Sequence, residues 1–165
     1  MSKKEQDILK GLNVPWITKD GYLDLKKYPI DHLLKQALSD AEQSFRSACT
    51  ILVSMYSAGR TEAAVYLYGL LILNRDDIKR KELIIEASGQ VKTQEMADLL
   101  FDELHRIESS NSTRVYIDVI LKSLCYFPLS LVEDGFDKLL DEERWSYRMK
   151  QKFRKIFDHI RYKDL

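Results

Sequence analysis

The sequence predicts an all-α protein, a right-handed α-solenoid of about four stacked antiparallel helical hairpins. Three observations support this. The 165 residues include only 6 Gly and 3 Pro, which are too few for many short strands and turns. Apolar residues make up 45% of the chain and charged residues 32%, as in a globular protein with a charged surface. Arginines that open apolar segments of helical periodicity recur every 34 residues.

The repeat is defined by arginines, each preceded at a distance of six residues by a carboxylate or an amide. These residues form the pairs Asp40 and Arg46, Asn74 and Arg80, Glu108 and Arg114, and Glu142 and Arg148. A catalytic acid is needed once, whereas a stacking contact is needed in every repeat. An exposed ion pair contributes about 0 to 1 kcal/mol, against roughly 1.5 to 3 kcal/mol for a buried Leu or Ile. We therefore expect this ladder to set the register between repeats while apolar burial holds them together.

Residues 1–30 are predicted to form an N-terminal capping segment, and residues 31–165 the helical repeat domain. A short helix is expected at 3–12, followed by an ordered loop with a turn at Gly21. The end repeat of a stack exposes apolar surface that must be covered. We expect the rings of Trp16 and Tyr22 to cover it.

Two alternating sets of helices follow from apolar residues at steps of three and four. The arginines open one set, which an initial helix at 32–38 precedes. The second set is predicted at 61–73, 93–107 and 129–140. Gly59 can end a helix, and several polar side chains can cap one. These candidate caps are Thr61, Thr93, Asp40, Asp76 or Asp77, and Ser112 or Thr113.

The recurring order of a short apolar helix, an acid or amide, five residues and an arginine that opens a second apolar helix resembles HEAT repeats. The resemblance spans roughly residues 31–160 and is clearest in LVEDGFDKLLDEERWSYRMKQKFRKIFDHI. Asn74, Tyr116 and Lys150 depart from the pattern. The segment ILVSMYSAGRTEAAVYLYGLL instead resembles a tetratricopeptide or pentatricopeptide unit, whose period is also about 34 residues. Both resemblances imply a right-handed, armadillo-like α-solenoid.

Composition argues against several classes of function. The 26 basic and 26 acidic residues cancel, so the whole molecule has no electrostatic attraction to nucleic acid or membrane. Cys49 and Cys125 are far apart in the sequence and read as reduced core thiols. No nucleophile elbow, phosphate loop or metal-ligand spacing occurs in the sequence. We expect a cytoplasmic protein that is not an enzyme and has no cofactor, no metal and no membrane partner.

A stack of helical hairpins presents an extended curved surface that holds other macromolecules. We therefore predict a non-catalytic protein-binding or adaptor module, a scaffold for an unidentified protein partner. The arginine-bearing helices should line the concave side, where the polar positions four residues after each arginine, and their neighbours, are available to the partner. These candidate residues are Thr50, Lys81, Asp118, Lys122 and Lys152.

The C-terminal segment is the most asymmetric in charge. Residues 144–165 hold eight basic and two acidic residues, whereas 133–143 hold six acids and one lysine. One interpretation is a solvated cap whose cations balance the negative charge of the acidic helix before it. The other is a binding face for an acidic protein or a nucleic-acid backbone. Its candidate contacts are Arg144, Arg148, Lys152 and Lys155.

The alternative function is therefore nucleic-acid binding, with HEAT-like DNA alkylation repair glycosylases as the fold analogy. Those enzymes are longer and basic, whereas this chain is neutral and has no cluster of aromatic and acidic residues that resembles their cleft. A helper of the lyase or chaperone-like kind that HEAT repeats also form is a third alternative, and no residue singles it out.

Overall fold

The computed structural model describes residues 3, 7, 10, 11 and 14–163, and it is all-helical apart from its loops. Among these residues the only β-type pairing is an isolated bridge between Ile17 and Leu23. The all-α prediction is therefore confirmed. The helices are α1 (Ile30–Ala37), α2 (Glu42–Ser57), α3 (Glu62–Leu73), α4 (Ile78–Ala87), α5 (Gln94–Arg106), α6 (Arg114–Leu124), α7 (Leu129–Asp141) and α8 (Tyr147–Lys163), with a short 3₁₀ helix at Ser88–Gln90.

The 34-residue spacing corresponds to alternate helices. Arg80, Arg114 and Arg148 lie in the first turns of α4, α6 and α8. Arg46 does not open its helix, because α2 begins four residues earlier at Glu42. The helices of the second set, α3, α5 and α7, match their predicted bounds to within one residue at each end. Helical periodicity in the sequence therefore located both sets.

Local capping explains several of the boundaries. Asp77 accepts a hydrogen bond from the Arg80 amide at 3.0 Å, and Thr93 accepts one from the Met96 amide at 3.2 Å. Gly59 follows α2 with a φ of 95°, a conformation that side chains disfavour. Asp40 was wrong as a cap, because Ala41 occupies the N-cap position of α2 and provides no side-chain acceptor.

The chain divides into two compact units, Met1–Leu67 and Tyr68–Leu165. In the first unit α1 packs against α2, and the core includes the fully buried Leu33, Phe45 and Leu52. The side chain of Arg60 donates hydrogen bonds to the carbonyls of Leu25 and Tyr28, which fixes the loop before α1.

The N-terminal segment agrees only in part with its predicted capping role. The predicted helix at 3–12 lies mostly outside the described residues, although residues 3, 7 and 10 are helical. Gly21 forms the expected turn with a φ of 81°. Trp16 is half-buried and meets the Tyr28 ring edge-on at 6.4 Å. Tyr22 was wrong as a covering ring, because it is largely exposed.

In the second unit helices pack in alternation. Helix α4 packs against α6, α5 against α6 and α7, and α7 against α8. A row of aromatic rings joins three of them: Phe136 of α7 meets Phe101 of α5 edge-on at 5.3 Å and stacks on Phe157 of α8 at 5.1 Å. Aromatic pairs of this geometry add to the stabilisation from burial.

Several polar contacts in this unit join residues about one repeat length apart. Lys152 forms an ion pair with Asp118, 34 residues earlier. His105 pairs with Glu142, and the Gln94 amide donates to the Leu131 carbonyl at 3.4 Å, each across 37 residues. These contacts connect one helix with the helix two places further along the chain. Within the described residues, no helix combines the length and the apolar character needed to cross a membrane.

Candidate functional site

A mainly apolar groove with a volume of about 420 Å³ lies on α4 and α6. Ile85 lies buried at its base, and Val115 and Tyr126 are 64% and 50% exposed. Its charged lining residues are two acids, Glu86 on α4 and Asp118 on α6, and one base, Lys122 on α6. We call this surface the α4–α6 groove; its lining is Ile85, Glu86, Gly89, Val115, Asp118, Val119, Lys122, Ser123 and Tyr126.

Lys81 was wrong as a residue available to a partner. It is only 5% exposed, and its ammonium donates to the Glu103 carboxylate at 2.6 Å. The Tyr116 hydroxyl donates to the same carboxylate oxygen at 2.8 Å, and Arg106 pairs with the other oxygen. The lysine is therefore part of a buried network that joins α4, α5 and α6.

Burial dominates the electrostatics of this network. It lowers the pKa of Lys81 by removing the ammonium from water, and the Arg106 guanidinium acts in the same direction. Burial also raises the pKa of Tyr116, so the phenol remains a neutral donor. With Lys81, Tyr116 and Arg106 all directed at it, Glu103 has a partner for both oxygens. This network therefore helps to hold α4, α5 and α6 of the second unit together.

A second concavity, of about 230 Å³, lies at the beginnings of α6 and α8. Arg114 and Arg148 lie on its wall with Lys152, beside the hydroxyls of Ser109 and Ser146. We call it the arginine pocket. It brings together two of the predicted partner-binding residues, Arg148 and Lys152, and two arginines of the repeat ladder.

Arg144, a predicted contact on a binding face, is exposed but already bonded within the chain, and its role as a contact stays a prediction. Its guanidinium donates to the carbonyls of Leu104 and Ile107, the latter at 2.8 Å, and pairs with Glu142. It also covers the Trp145 ring at 4.4 Å. Carbonyls at a helix C-terminus lack partners within the helix, so this arginine closes the end of α5.

The other predicted contacts are dispersed. Thr50 lies on α2 in the first unit, where its exposed hydroxyl donates to the Arg46 carbonyl at 3.0 Å. Asp118 and Lys122 lie at the α4–α6 groove. Lys155 is exposed on α8. The structure thus brings Asp118 and Lys152 into contact and places Lys122 close to them on α6, whereas Thr50 belongs to the other unit.

The ladder residues contact several neighbours close to them in the sequence. Arg46 pairs with Glu42 at 3.4 Å, and Arg80 with Asp77 at 3.7 Å. The Asn74 amide donates to the Leu70 carbonyl at 2.7 Å. Hydrogen bonds from Arg144 and His105 outweigh partial burial and lower the pKa of Glu142. Among the described residues, neither Arg114 nor Arg148 takes part in an ion pair.

Sequence reasoning missed Val115, Val119 and Tyr126 as surface residues, because apolar side chains in an amphipathic helix are expected on its core face. One signal was present. Val115 and Val119 are four residues apart, on a different stripe from the buried Ile117, Ile120 and Leu124. A helix with apolar residues on two faces has surface to cover on both.

Comparisons of this chain with protein-family models, with curated proteins and with solved structures find no match. Among the described side chains, no group of three or more His, Cys, Asp or Glu is arranged to hold a metal ion. The α4–α6 groove and the arginine pocket are therefore interpreted from their own chemistry.

Proposed function

We propose that this protein is a non-catalytic protein-binding or adaptor module, and that its α4–α6 groove holds a short amphipathic segment of a partner protein. The observation that carries the proposal is the groove itself. Val115 and Tyr126 expose apolar surface beside the half-buried Val119, above the buried Ile85. Clustered exposed apolar side chains with a polar rim are typical of surfaces that bind other proteins.

The size and lining of the groove indicate the partner's chemistry. A volume of about 420 Å³ accommodates a few side chains and falls at the lower end of ligand pockets, roughly 300 to 1,000 Å³. Valine and tyrosine surfaces favour aliphatic or aromatic side chains. Glu86 on α4 can pair with a cation of the partner and Lys122 on α6 with an anion, while Asp118 is already paired with Lys152. An amphipathic helix or turn supplies this combination.

The proposal includes a HEAT-like, right-handed α-solenoid in the cytoplasm. Two observations in the second unit support the repeat arrangement. Alternate helices pack against each other, α4 with α6 and α5 with α7. Equivalent positions in successive repeats meet in the ion pair of Asp118 and Lys152. Solenoids of this kind bind partners along surfaces built from corresponding helices.

Nucleic-acid binding, the alternative, has weaker support. Of the cations on the C-terminal segment, Arg144 is engaged with the end of α5, Lys152 with Asp118, and Arg161 with Glu133 at 3.3 Å. In the described part of the chain, the other five basic residues of this segment form no ion pair; they are Arg148, Lys150, Arg154, Lys155 and Lys163. A backbone contact through them would be sequence-blind and sensitive to salt.

The experiment is a selection of short random peptides displayed on phage against the full chain, followed by fluorescence anisotropy with the selected peptides. We expect amphipathic sequences with two or more large apolar side chains. Val115→Asp places a charge in the groove and should weaken their binding at least about tenfold, because a central apolar contact is worth more than about 1 kcal/mol.

The matched control is Val65→Asp on α3. Val65 is 63% exposed, nearly the same as Val115 at 64%, so the two variants add the same charge to equally exposed valines. Binding that survives in Val65→Asp and is lost in Val115→Asp supports the groove. Equal loss in both variants, or selection of peptides without apolar residues, contradicts it. Tight binding of duplex DNA at physiological salt would favour the alternative instead.

A further inference from the structure

We propose that the arginine pocket binds a phosphate monoester dianion, and that in the cell this group is a phosphorylated side chain of the partner protein. The inference deepens the proposed function and rests on it, since it assigns the partner a modification. It depends on the juxtaposition of Arg114, Arg148 and Lys152 around one concavity.

The charge of the pocket is unbalanced. Among the described residues, Arg114 and Arg148 have no acidic partner, and only Lys152 is answered, by Asp118. Two guanidinium groups that line one concavity repel each other, and an anion bound between them would relieve this repulsion. Arginine is the side chain best suited to hold a phosphate, because its planar fork donates two hydrogen bonds to two oxygens.

Neutral donors complete the lining. Ser146 precedes α8, and its oxygen accepts a hydrogen bond from the Met149 amide at 3.3 Å. The hydroxyl proton of Ser146 is then free to point to a ligand, as is that of Ser109. Arg114 and Arg148 are the first and second residues of α6 and α8, so the positive ends of two helices face the same concavity.

The volume limits what the pocket can hold. At about 230 Å³ it holds the equivalent of several waters, each about 30 Å³ in the liquid. One tetrahedral phosphate fits with part of its hydration. A nucleic-acid backbone needs a continuous track of cations, whereas this concavity offers three, one of which is already paired with Asp118. A single phosphorylated side chain needs no such track.

The pocket and the α4–α6 groove are neighbours on the surface. Asp118 lies in the groove, and its ion-pair partner Lys152 lies in the pocket. Arg114 and Val115 are consecutive residues that line the pocket and the groove respectively. One partner segment can therefore place apolar side chains in the groove and a phosphate in the pocket, with the ion pair between them.

The test uses the full chain and two degenerate peptide libraries that are identical except for a fixed central phosphoserine or serine. Affinity is measured by fluorescence anisotropy, with inorganic phosphate as a competitor. We expect the phosphoserine library to bind at least about tenfold more tightly, as hydrogen bonds between charged groups allow. The advantage should shrink as the pH falls through about 6, where the phosphate dianion gains a proton.

Two variants locate the effect. Arg148→Gln and Arg114→Gln should each remove most of the advantage of the phosphoserine library and leave serine-peptide binding unchanged, which also shows that the variants are folded. Arg148→Lys keeps the positive charge but loses the paired hydrogen bonds of the guanidinium, so it should retain part of the preference for phosphoserine. The matched control is Arg154→Gln, which removes another exposed arginine of the same helix that does not line the pocket.

Each contrary outcome is informative. If both libraries bind equally and Val115→Asp still abolishes binding, the phosphate site fails while the protein-binding function stands. If Arg154→Gln costs as much as Arg148→Gln, the preference reflects general surface charge and the pocket is refuted. Duplex DNA is tested with the same competitor. If inorganic phosphate displaces duplex DNA but neither peptide library, the occupant is a nucleic acid and the inference is overturned.

Discussion

At the scale of single residues, Lys81 and Glu103 are the side chains whose environment departs most from what their chemistry prefers. Both are charged, and they are only 5% and 4% exposed. Two charges leave water at a large cost, which is offset when each finds a close partner and the remaining hydrogen-bonding groups are satisfied. The bonds from Tyr116 and Arg106 to Glu103 satisfy the remaining acceptor positions of its carboxylate.

The network predicts an order of effects. Glu103→Gln should destabilise the protein more than Lys81→Met, because the first leaves a buried ammonium without its carboxylate, whereas the second leaves Glu103 its bonds to Tyr116 and Arg106. Breaking a buried pair typically costs about 3 to 5 kcal/mol, and we expect Glu103→Gln to fall in that range. Urea unfolding followed by circular dichroism measures both.

The control for this comparison is Glu95→Gln, an exposed glutamate of the same helix, which should change the free energy of unfolding by no more than about 0.5 kcal/mol. A free-energy loss for Glu103→Gln as small as that for Glu95→Gln would show that the buried network contributes nothing to stability.

At the scale of helices, two glycines occupy helix interiors in opposite surroundings. A Cβ at Gly135 of α7 would overlap the ring of Phe101, which is buried and packed against Phe136. A Cβ at Gly69 of α3 would meet nothing within 4 Å. Glycine in a helix costs roughly 1 kcal/mol relative to alanine, so only the first glycine is required by packing.

The two glycines therefore predict opposite signs for the same substitution. Gly69→Ala should raise the free energy of unfolding by about 0.5 to 1 kcal/mol, because it removes backbone freedom from the unfolded chain. Gly135→Ala should lower it by about 1 to 3 kcal/mol, the usual cost of overpacking. Thermal unfolding of the two variants beside the wild type gives the signs directly. Stabilisation by both would mean that α5 and α7 do not approach closely at Gly135.

At the scale of the whole molecule, stability depends on side chains that connect several helices. Phe136 is fully buried, and its ring contacts Phe101 of α5 and Phe157 of α8. Because the chain forms two compact units, its unfolding need not be a single two-state transition. Hydrogen exchange, which reports on each helix separately, is the suitable measurement.

Phe136→Ala should reduce the stability of the second unit by about 3 to 5 kcal/mol, the cost of an empty site of this size. Amide exchange should become faster in α5, α7 and α8 together, since one ring joins all three. Tyr147→Ala, which removes a ring that is largely exposed, is the control and should leave exchange unchanged. Faster exchange confined to α7 would show that the aromatic row does not couple the helices.

The second arginine-bearing helix, α4, shows how much of the fold the sequence predicts. Asp77 at its beginning, Arg80 in its first turn and the buried Ile84 follow from local rules of capping and periodicity. The burial of Ile85 was not predicted. Those rules act within a few residues along the chain, so helix positions were predictable. The same rules placed Lys81 on a polar stripe, and only packing against α5 revealed that it is buried.

By itself, the sequence determined the helical class, the alternation of two helix sets and the placement of three of the four arginines at helix beginnings, because these depend on spacing along the chain. The tertiary structure alone decided which charges meet and which apolar side chains stay in water. Lys81 bonds to Glu103, Arg144 bonds to the carbonyls at the end of α5, and Val115 is exposed in the groove. Such pairings join residues about 20 to 40 positions apart, and they depend on how helices approach one another.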